Sequence, residues 1–320
     1  MNPLAYAVGG LLYCPADNAD VADHILRGDW PCLTSVALCL EDSIQDAALP
    51  RAEAQLRRTL DALRAAPTPV ALPLLFVRVK SPEHLTRVHG LLGEAEEALT
   101  GYIFPKFDLT NAEGYLTGLE NINARRARPL FAMPILESRQ IAHASTRRET
   151  LAALRDIVDA HSGAILNIRV GGNDFCNLYG LRRSVRQTIY DLGVVRDILV
   201  DIVNMFSDAY VVSGPVWEYY GRVPGGDWAT GLRRELELDR ANGFFGKTAI
   251  HPTQLPLIYD SLKVSALDAA DARQILDWSD ENRAVAGNTT GSRMNEVKCH
   301  GRWAERIALR AERYGIREGD

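Results

Sequence analysis

Two carboxylates in this chain follow closely on apolar runs. Glu137 comes directly after Pro129-Leu130-Phe131-Ala132-Met133-Pro134-Ile135-Leu136, and Asp174 comes shortly after Ala164-Ile165-Leu166-Asn167-Ile168-Arg169-Val170. Between them, Arg139 to Ala160 has the amphipathic spacing of a crossover helix. In a parallel α/β fold the C-terminal strand ends gather at one face, so strand, acid, helix, strand, acid can bring the two carboxylates together there. Such a pair can hold Mg²⁺, which takes one or two protein carboxylates and keeps positions for water and substrate oxygens. The plainer alternative is structural: Glu137 as an acid at a helix N-terminus and Asp174 as a cap.

The rest of the chain reads as a scaffold of alternating strands and helices. Gly10 to Cys14 predicts a first strand ended by Pro15, with Asp17 or Asn18 capping the helix that runs through Leu26. Ser35 to Leu40 predicts a second strand, which delivers Glu41-Asp42, and Leu49 to Leu63 has helical spacing. Leu72 to Val79 predicts a third strand carrying Arg78, and Ser81-Pro82-Glu83 a helix start. Gly101 to Lys106 predicts a fourth, and the runs before Glu137 and Asp174 are the fifth and sixth. Val185 to Phe206 reads as a long helical region, Ala209 to Ser213 as the seventh strand, Trp228 to Ala241 as a helix and Phe244 to Ile250 as the eighth strand. Eight such units predict a (β/α)₈ barrel over residues 1–258. An open doubly wound sheet would want G-x-G-x-x-G at its first turn, which Tyr6 to Pro15 lacks. Residues 259–320 read as a helical extension, Ala266 to Ala286 and Trp303 to Tyr314, joined by Gly287 to Ser292, whose composition is that of a flexible linker.

With 320 residues, 47% apolar and 24% charged, the composition is that of a soluble globular protein. A net charge of −5 and the lack of basic runs with interleaved aromatics argue against a nucleic-acid partner. No apolar stretch approaches membrane-spanning length, and the first residues carry no basic n-region of a secretory signal. Cys14, Cys32, Cys39, Cys176 and Cys299 form no C-x-x-C pair and read as reduced thiols of a cytoplasmic protein.

If the barrel forms, its C-terminal rim collects Glu41, Asp42, Arg78, Lys106, Glu137, Asp174 and His251. Arg78 has the planar fork that suits a carboxylate, whether of a substrate or of Glu41 or Asp42. Lys106 reads as an anion contact or a solvated rim lysine, and His251, before Pro252, as a structural hydrogen-bond donor. Gly246-Lys247-Thr248 imitates the end of a phosphate-binding loop, but Ala241 stands where that loop needs glycine and a strand follows instead of a helix. Ser138 and Ser213 lie outside any G-x-S-x-G elbow.

The residues carry a resemblance to the citrate lyase β-subunit-like branch of the HpcH/HpaI aldolase superfamily, carbon–carbon lyases of TIM-barrel fold. Leu11 to Ala16 resembles that family's opening Leu-Phe-Val-Pro-Gly/Ala, and Leu40-Glu41-Asp42-Ser43 its Leu-Glu-Asp-Ala, followed by Arg51. Val77-Arg78-Val79, Phe104-Pro105-Lys106, Leu136-Glu137-Ser138 and Gly171-Gly172-Asn173-Asp174-Phe175 follow in the family's order. Gly243 to Gln254 resembles Gly-Phe-x-Gly-Lys-x-x-Ile-His-Pro-x-Gln, the most specific block. The resemblance implies Glu137 and Asp174 as ligands of Mg²⁺, or of Mn²⁺ in its place. It implies Arg78 at the substrate carboxylate or enolate oxygen, and Glu41 and Asp42 orienting metal-bound water and Arg78. It further implies aldol- or Claisen-type cleavage of a 2-oxo acid or a CoA thioester, in a homo-oligomer, trimer or hexamer, whose C-terminal segment reaches a neighbour's site.

The chain also departs from that pattern. Lys80 replaces an asparagine, and Gly9-Gly10 replace the Arg-Ser before the first strand. The tail motif Gly-x-Met-Ile-Asp becomes Gly291-Ser292-Arg293-Met294-Asn295-Glu296, which makes Glu296 the candidate for the missing aspartate. The loop from Gly214 to Asp227 is longer and more aromatic, and Trp217 is expected to form a substrate wall. In these features the chain resembles the divergent lyase-like proteins associated with tellurite-resistance and stress gene clusters. A catalytically silent metabolite-binding barrel or assembly subunit, and an acyl-CoA thioesterase using the same metal site, are the alternatives.

Overall fold

The computed structural model describes residues 2–66, 71–222 and 226–317. The chain forms two compact units, Met1–Ile258 and Tyr259–Asp320. In the first, the strands are β1 (Gly10–Pro15), β2 (Ser35–Cys39), β3 (Leu74–Arg78), β4 (Gly101–Phe104), β5 (Phe131–Leu136), β6 (Ile168–Val170), β7 (Val212–Ser213) and β8 (Lys247–Ala249). From β1 to β7 each strand pairs in parallel with the next, and β8 pairs with β1. A single bridge between Gly214 and Lys247 closes the ring, with the Gly214 N–H donating to the Gly246 carbonyl at 3.0 Å. The fold is therefore a closed (β/α)₈ barrel. Its strands are apolar on both faces, because one face fills the barrel and the other meets the helices. Val36, Ala37, Leu75, Phe76, Tyr102 and Ile103 are all buried.

Several elements are shorter than the apolar runs suggest. In the sixth run Ile165 makes only an isolated bridge to Ala132, and the strand begins at Ile168, paired with Val212. The crossover after Glu137 is two helices, Arg139–Ala142 and Ala144–Ala160, separated at His143. Arg147 accounts for the break: its guanidinium takes the Ile141 and Ala142 carbonyls at 2.9 and 2.7 Å, so the first turn need not continue. The predicted helix over Val185–Phe206 begins only at Gly193, after a 3₁₀ turn at Ile189–Asp191 closed by a Thr188–Asp191 capping box. The helix after β1 starts at Val21 with Asp20 in the N-cap position; Asn18 instead accepts from the Asp20 N–H at 3.0 Å. Ser81 does cap its helix, accepting from the His84 N–H, with Pro82 in the first turn.

In the second unit, helices Ala266–Leu276 and Val297–Tyr314 share a core of Val264, Ala272, Ile275, Ala304 and Ile307. The first helix ends ten residues short of Ala286 (276 against 286), because the chain turns into an antiparallel hairpin of β9 (Val285–Gly287) and β10 (Met294–Glu296). The stretch expected to be a flexible linker is the tip of that hairpin. Asn288 Oδ1 organises it, accepting from the Ser292 N–H at 2.9 Å and the Thr290 hydroxyl at 3.1 Å.

Candidate active site

The barrel's C-terminal mouth brings the rim residues together. Side chains alternate along each strand, so Ile135 and Glu137 share the inner face of β5 and its extension, as Arg169 and Gly171 do for β6. These four line a cavity of about 220 Å³ with Tyr13, Asp42, Arg78, Asp174, Val216 and Thr248. Glu137 needs a glycine beside it: a Cβ on Gly171 would lie 2.2 Å from Glu137 Oε2. The Glu137 carboxylate is fixed from the other side by the backbone N–H of Lys106, which donates to Oε1 at 2.7 Å. Lys106 reaches that geometry in the left-handed region, with φ 48°, an uncommon conformation for a residue with a Cβ.

Asp174 lies in the first turn of helix Gly172–Leu178, in contact with Glu137. Burial, and then the Asp174 charge, push the Glu137 carboxyl up to about 8. Two carboxylates pressed together in a desolvated site repel, and a divalent cation between them would remove that repulsion. The donor set is all oxygen, which suits a hard ion. Among the described residues no group of three or more His, Cys, Asp or Glu offers a fuller cage. The structure therefore fits a cation that keeps most of its positions for water and substrate.

Arg78 stands beside this pair, 7% exposed. Its Nη2 lies 2.9 Å from Glu41, 3.1 Å from Asp42 and 3.5 Å from Glu137, and against the effect of burial its proton is held firmly by Tyr13, Glu137 and Glu41. Arg78 Nε is left without a partner. Lys106 Nζ pairs with Glu41 and lies 3.2 Å from Asp42. Burial raises the Glu41 carboxyl. At Asp42 burial is outweighed by Glu41, Arg78 and Lys106, which hold it below the usual range. The ion pair considered for Arg78 from the sequence is thus present, and Lys106 is a paired rim lysine.

Two expectations find other places. Trp217 is fully buried, its ring 5.3 Å from the Arg183 guanidinium and edge-on to Tyr219, so it cannot wall the cavity; Val216 does. The Trp217 and Tyr219 carbonyls are tied down by Gln254 Nε2 at 3.0 Å each, which makes the described start of this loop a packed structure. Residues 223–225 of that loop lie outside the described residues. His251 is a cap acceptor rather than a donor, its Nδ1 taking the Thr253 N–H at 3.3 Å, and its ring stacks on Tyr220 at 4.4 Å. Glu296 belongs to the second unit, at the N-cap position of Val297–Tyr314, its N–H donating to His300 Nδ1 at 3.1 Å.

Sequence reasoning passed over Tyr13, Arg169 and Thr248. Arg169 had a usable signal: a lone charge inside an apolar run, two positions before Gly171 and so on the same face of the strand. Its Nη2 donates to the Thr248 hydroxyl at 2.6 Å, and Tyr13 is its other partner.

Comparison with known proteins agrees with this architecture. No curated protein matches the chain. A citrate lyase from Burkholderia xenovorans LB400 has a similar structure at TM-score 0.72 and 14% identity, over 98% of this chain and 94% of that one. The CitE protein of Mycobacterium tuberculosis, solved with magnesium, acetoacetate and coenzyme A, is similar at TM-score 0.62 and 20% identity, over 95% and 98%. RipC from Yersinia pestis follows at 0.54 and 16%, over 82% and 98%. At these identities the likeness is one of fold. The family model for carbon–carbon bond lyases of the TIM-barrel fold matches residues 2–316. The chain belongs to that family and is a carbon–carbon lyase.

Proposed function

We propose that the protein is a Mg²⁺-dependent lyase that cleaves or forms a carbon–carbon bond next to a carbonyl, in a small carboxylated molecule or its acyl-CoA. The observation that carries this reading is the Glu137–Asp174 pair facing a small cavity beside a half-satisfied arginine. Glu137 and Asp174 would hold the ion, which when bound supplies Lewis-acid stabilisation of charge developing on a substrate oxygen. Arg78, fixed by Glu41 and Asp42, presents its unpartnered Nε to a substrate carboxylate or enolate oxygen. Because Glu41, Asp42 and Glu137 already hold it, Arg78 needs no reorganisation as charge develops. Glu41 and Asp42, one raised and one lowered, form a pair able to pass a proton at the cavity edge. Lys106, half-exposed above them, pairs with both and offsets their charge where a substrate anion enters.

The cavity volume suits a short acid, and a CoA moiety would extend out through the mouth. A CitE protein of this fold binds magnesium, acetoacetate and coenzyme A, and a citrate lyase β subunit binds oxaloacetate and magnesium; both support the choice of ligands to test. The five free thiols, two of them exposed, favour a reducing compartment, the cytoplasm. We also place the chain in a homo-oligomer, trimer or hexamer, in which Glu296 serves a neighbour's site; mixing Glu296→Ala with Asp174→Ala protein should restore part of the activity if it does.

The decisive experiment is calorimetry of Mg²⁺ binding with and without oxaloacetate or glyoxylate, on wild type and Asp174→Ala. Metal binding that a 2-oxo acid tightens, and that the variant loses, supports the reading. A wild type that binds neither overturns it. Product analysis separates a thioesterase, because hydrolysis leaves the carbon skeleton whole.

A further inference from the structure

The two cations at the mouth are neutralised by carboxylates, but the one beneath them is not. Arg78 has Glu41, Asp42 and Glu137 around it, and Lys106 has Glu41 and Asp42. Arg169 is 2% exposed and lines the same cavity, yet no carboxylate lies within ion-pair distance of it among the described residues. Its partners are two neutral hydroxyls, Thr248 and Tyr13, and its Nε and Nη1 have no partner. Burial without a counter-charge lowers its proton affinity, the opposite of the shift at Arg78. A buried guanidinium is costly unless it is paired and its donors are used. A structural arginine would have brought its own carboxylate, as Arg147 brings Asp201 and Arg126 brings Glu96.

We propose that Arg169 is a specificity-determining residue that takes a second carboxylate of the substrate at the cavity floor. The inference rests on the 2-oxo acid reading above and adds to it the substrate class, a dicarboxylate. The cavity sets the reach. Arg169 lies two residues before Gly171, the neighbour of Glu137, so both residues face the barrel interior, and its side chain reaches the Thr248 hydroxyl in the same cavity as Glu137 and Asp174. A cavity of about 220 Å³ takes a short dicarboxylic acid, with its 2-oxo end at Glu137, Asp174 and Arg78 and its far end at Arg169. Thr248 and Tyr13 leave most of the guanidinium donors free for that carboxylate while fixing the group's position. A monocarboxylate would leave Arg169 as it stands, unpaired.

The test is calorimetry of oxaloacetate and pyruvate against wild type, Arg169→Met and Arg169→Lys, each in Mg²⁺ and each in EDTA. With Mg²⁺, wild type should bind oxaloacetate at least tenfold more tightly than pyruvate. Arg169→Met should erase that ratio while changing pyruvate affinity less than twofold, and Arg169→Lys should keep part of it. Thr248→Val, which removes only the orienting hydroxyl, should reduce the ratio severalfold and serves if Arg169→Met does not fold. A ratio near one in wild type, or one that survives Arg169→Met or Thr248→Val, overturns the proposal. The EDTA arm reports separately on the metal: affinities that do not respond to Mg²⁺ refute the metal reading, while the oxaloacetate-to-pyruvate ratio still decides the role of Arg169.

Discussion

The barrel contains two clusters of charge that use the same residue types to opposite ends. One is the mouth just described. The other lies behind β8, where Lys247 Nζ is 2.9 Å from Glu235 and 2.7 Å from Asp239, all three buried. The Tyr190 hydroxyl donates to Asp239 at 2.7 Å, the Ile189 N–H donates to Glu235 at 2.7 Å, and Arg183 lies 3.7 Å from Glu235. In this knot each buried carboxylate meets a cation, so the charges hold one another in place even though Arg183 Nε and Nη1 and Glu235 Oε1 make no hydrogen bond. At the mouth the Glu137 and Asp174 carboxylates face each other, and Arg169 has no anion. A site that must bind leaves its electrostatics unfinished, whereas a structural cluster completes them.

Variants should separate the two. Lys247→Met leaves Glu235 and Asp239 buried without their ammonium and should cost about 3–5 kcal/mol of stability, read as a lowered denaturation midpoint. Glu137→Gln should act in reverse. It should lower turnover roughly 10³-fold, while the metal-free protein becomes more stable at neutral pH, because the buried Glu137 carboxyl no longer has to take up a proton on folding. If Glu137→Gln destabilises as Lys247→Met does, the distinction between the clusters fails. Gly171→Ala should sit between them: its Cβ would overlap both the Cβ and the carboxylate of Glu137, so a shift of about 1 Å should cost about 10²-fold in kcat together with a lowered melting temperature.

The smallest effect concerns pH. The Glu137 carboxyl is raised from 4.5 to about 8 in the folded protein, so between those values the folded state holds a proton that the unfolded state has released. The contribution of this group to stability is therefore full below the lower value and is lost as pH rises through the upper one. Metal-free protein should show a melting temperature that declines over this range, and saturating Mg²⁺ should flatten the decline. A profile that is flat without metal would show that burial and Asp174 do not raise the Glu137 carboxyl.

Much of the mouth was legible in the sequence because a barrel turns order along the chain into position around a ring. Any charge directly after a buried run lands on one rim, so Glu41, Arg78, Lys106, Glu137 and Asp174 follow from the strands alone. Trp217 was not legible. An aromatic in a long loop reads alike whether it faces a ligand or the core, and only the Arg183 guanidinium and the Gln254 side chain behind it decide the matter. Arg169 was missed for the converse reason: inside an apolar run it passes for part of the strand, and its lack of a partner is a tertiary fact. The break at His143 likewise depends on Arg147 reaching back to carbonyls five and six residues before it, which helical periodicity does not register.

The ring is not equally strong all round. β1 and β2 meet along five registered pairs, while the β7 and β8 segments meet through one bridge, Gly214 to Lys247, and backbone bonds from the Gly214, Phe245 and Thr248 N–H groups to the Gly246, Val212 and Gly214 carbonyls. Gly214 itself lies so close to the knot that a Cβ there would come within 2.8 Å of Asp239. The side chains behind the sheet therefore reinforce a short ladder at this joint, adding charge pairing to the backbone bonds. In mechanical terms this is the seam of the barrel. Amide exchange in the native state should begin along it, and because Val216 follows Gly214 by two residues, a parting of the seam carries one wall of the cavity with it.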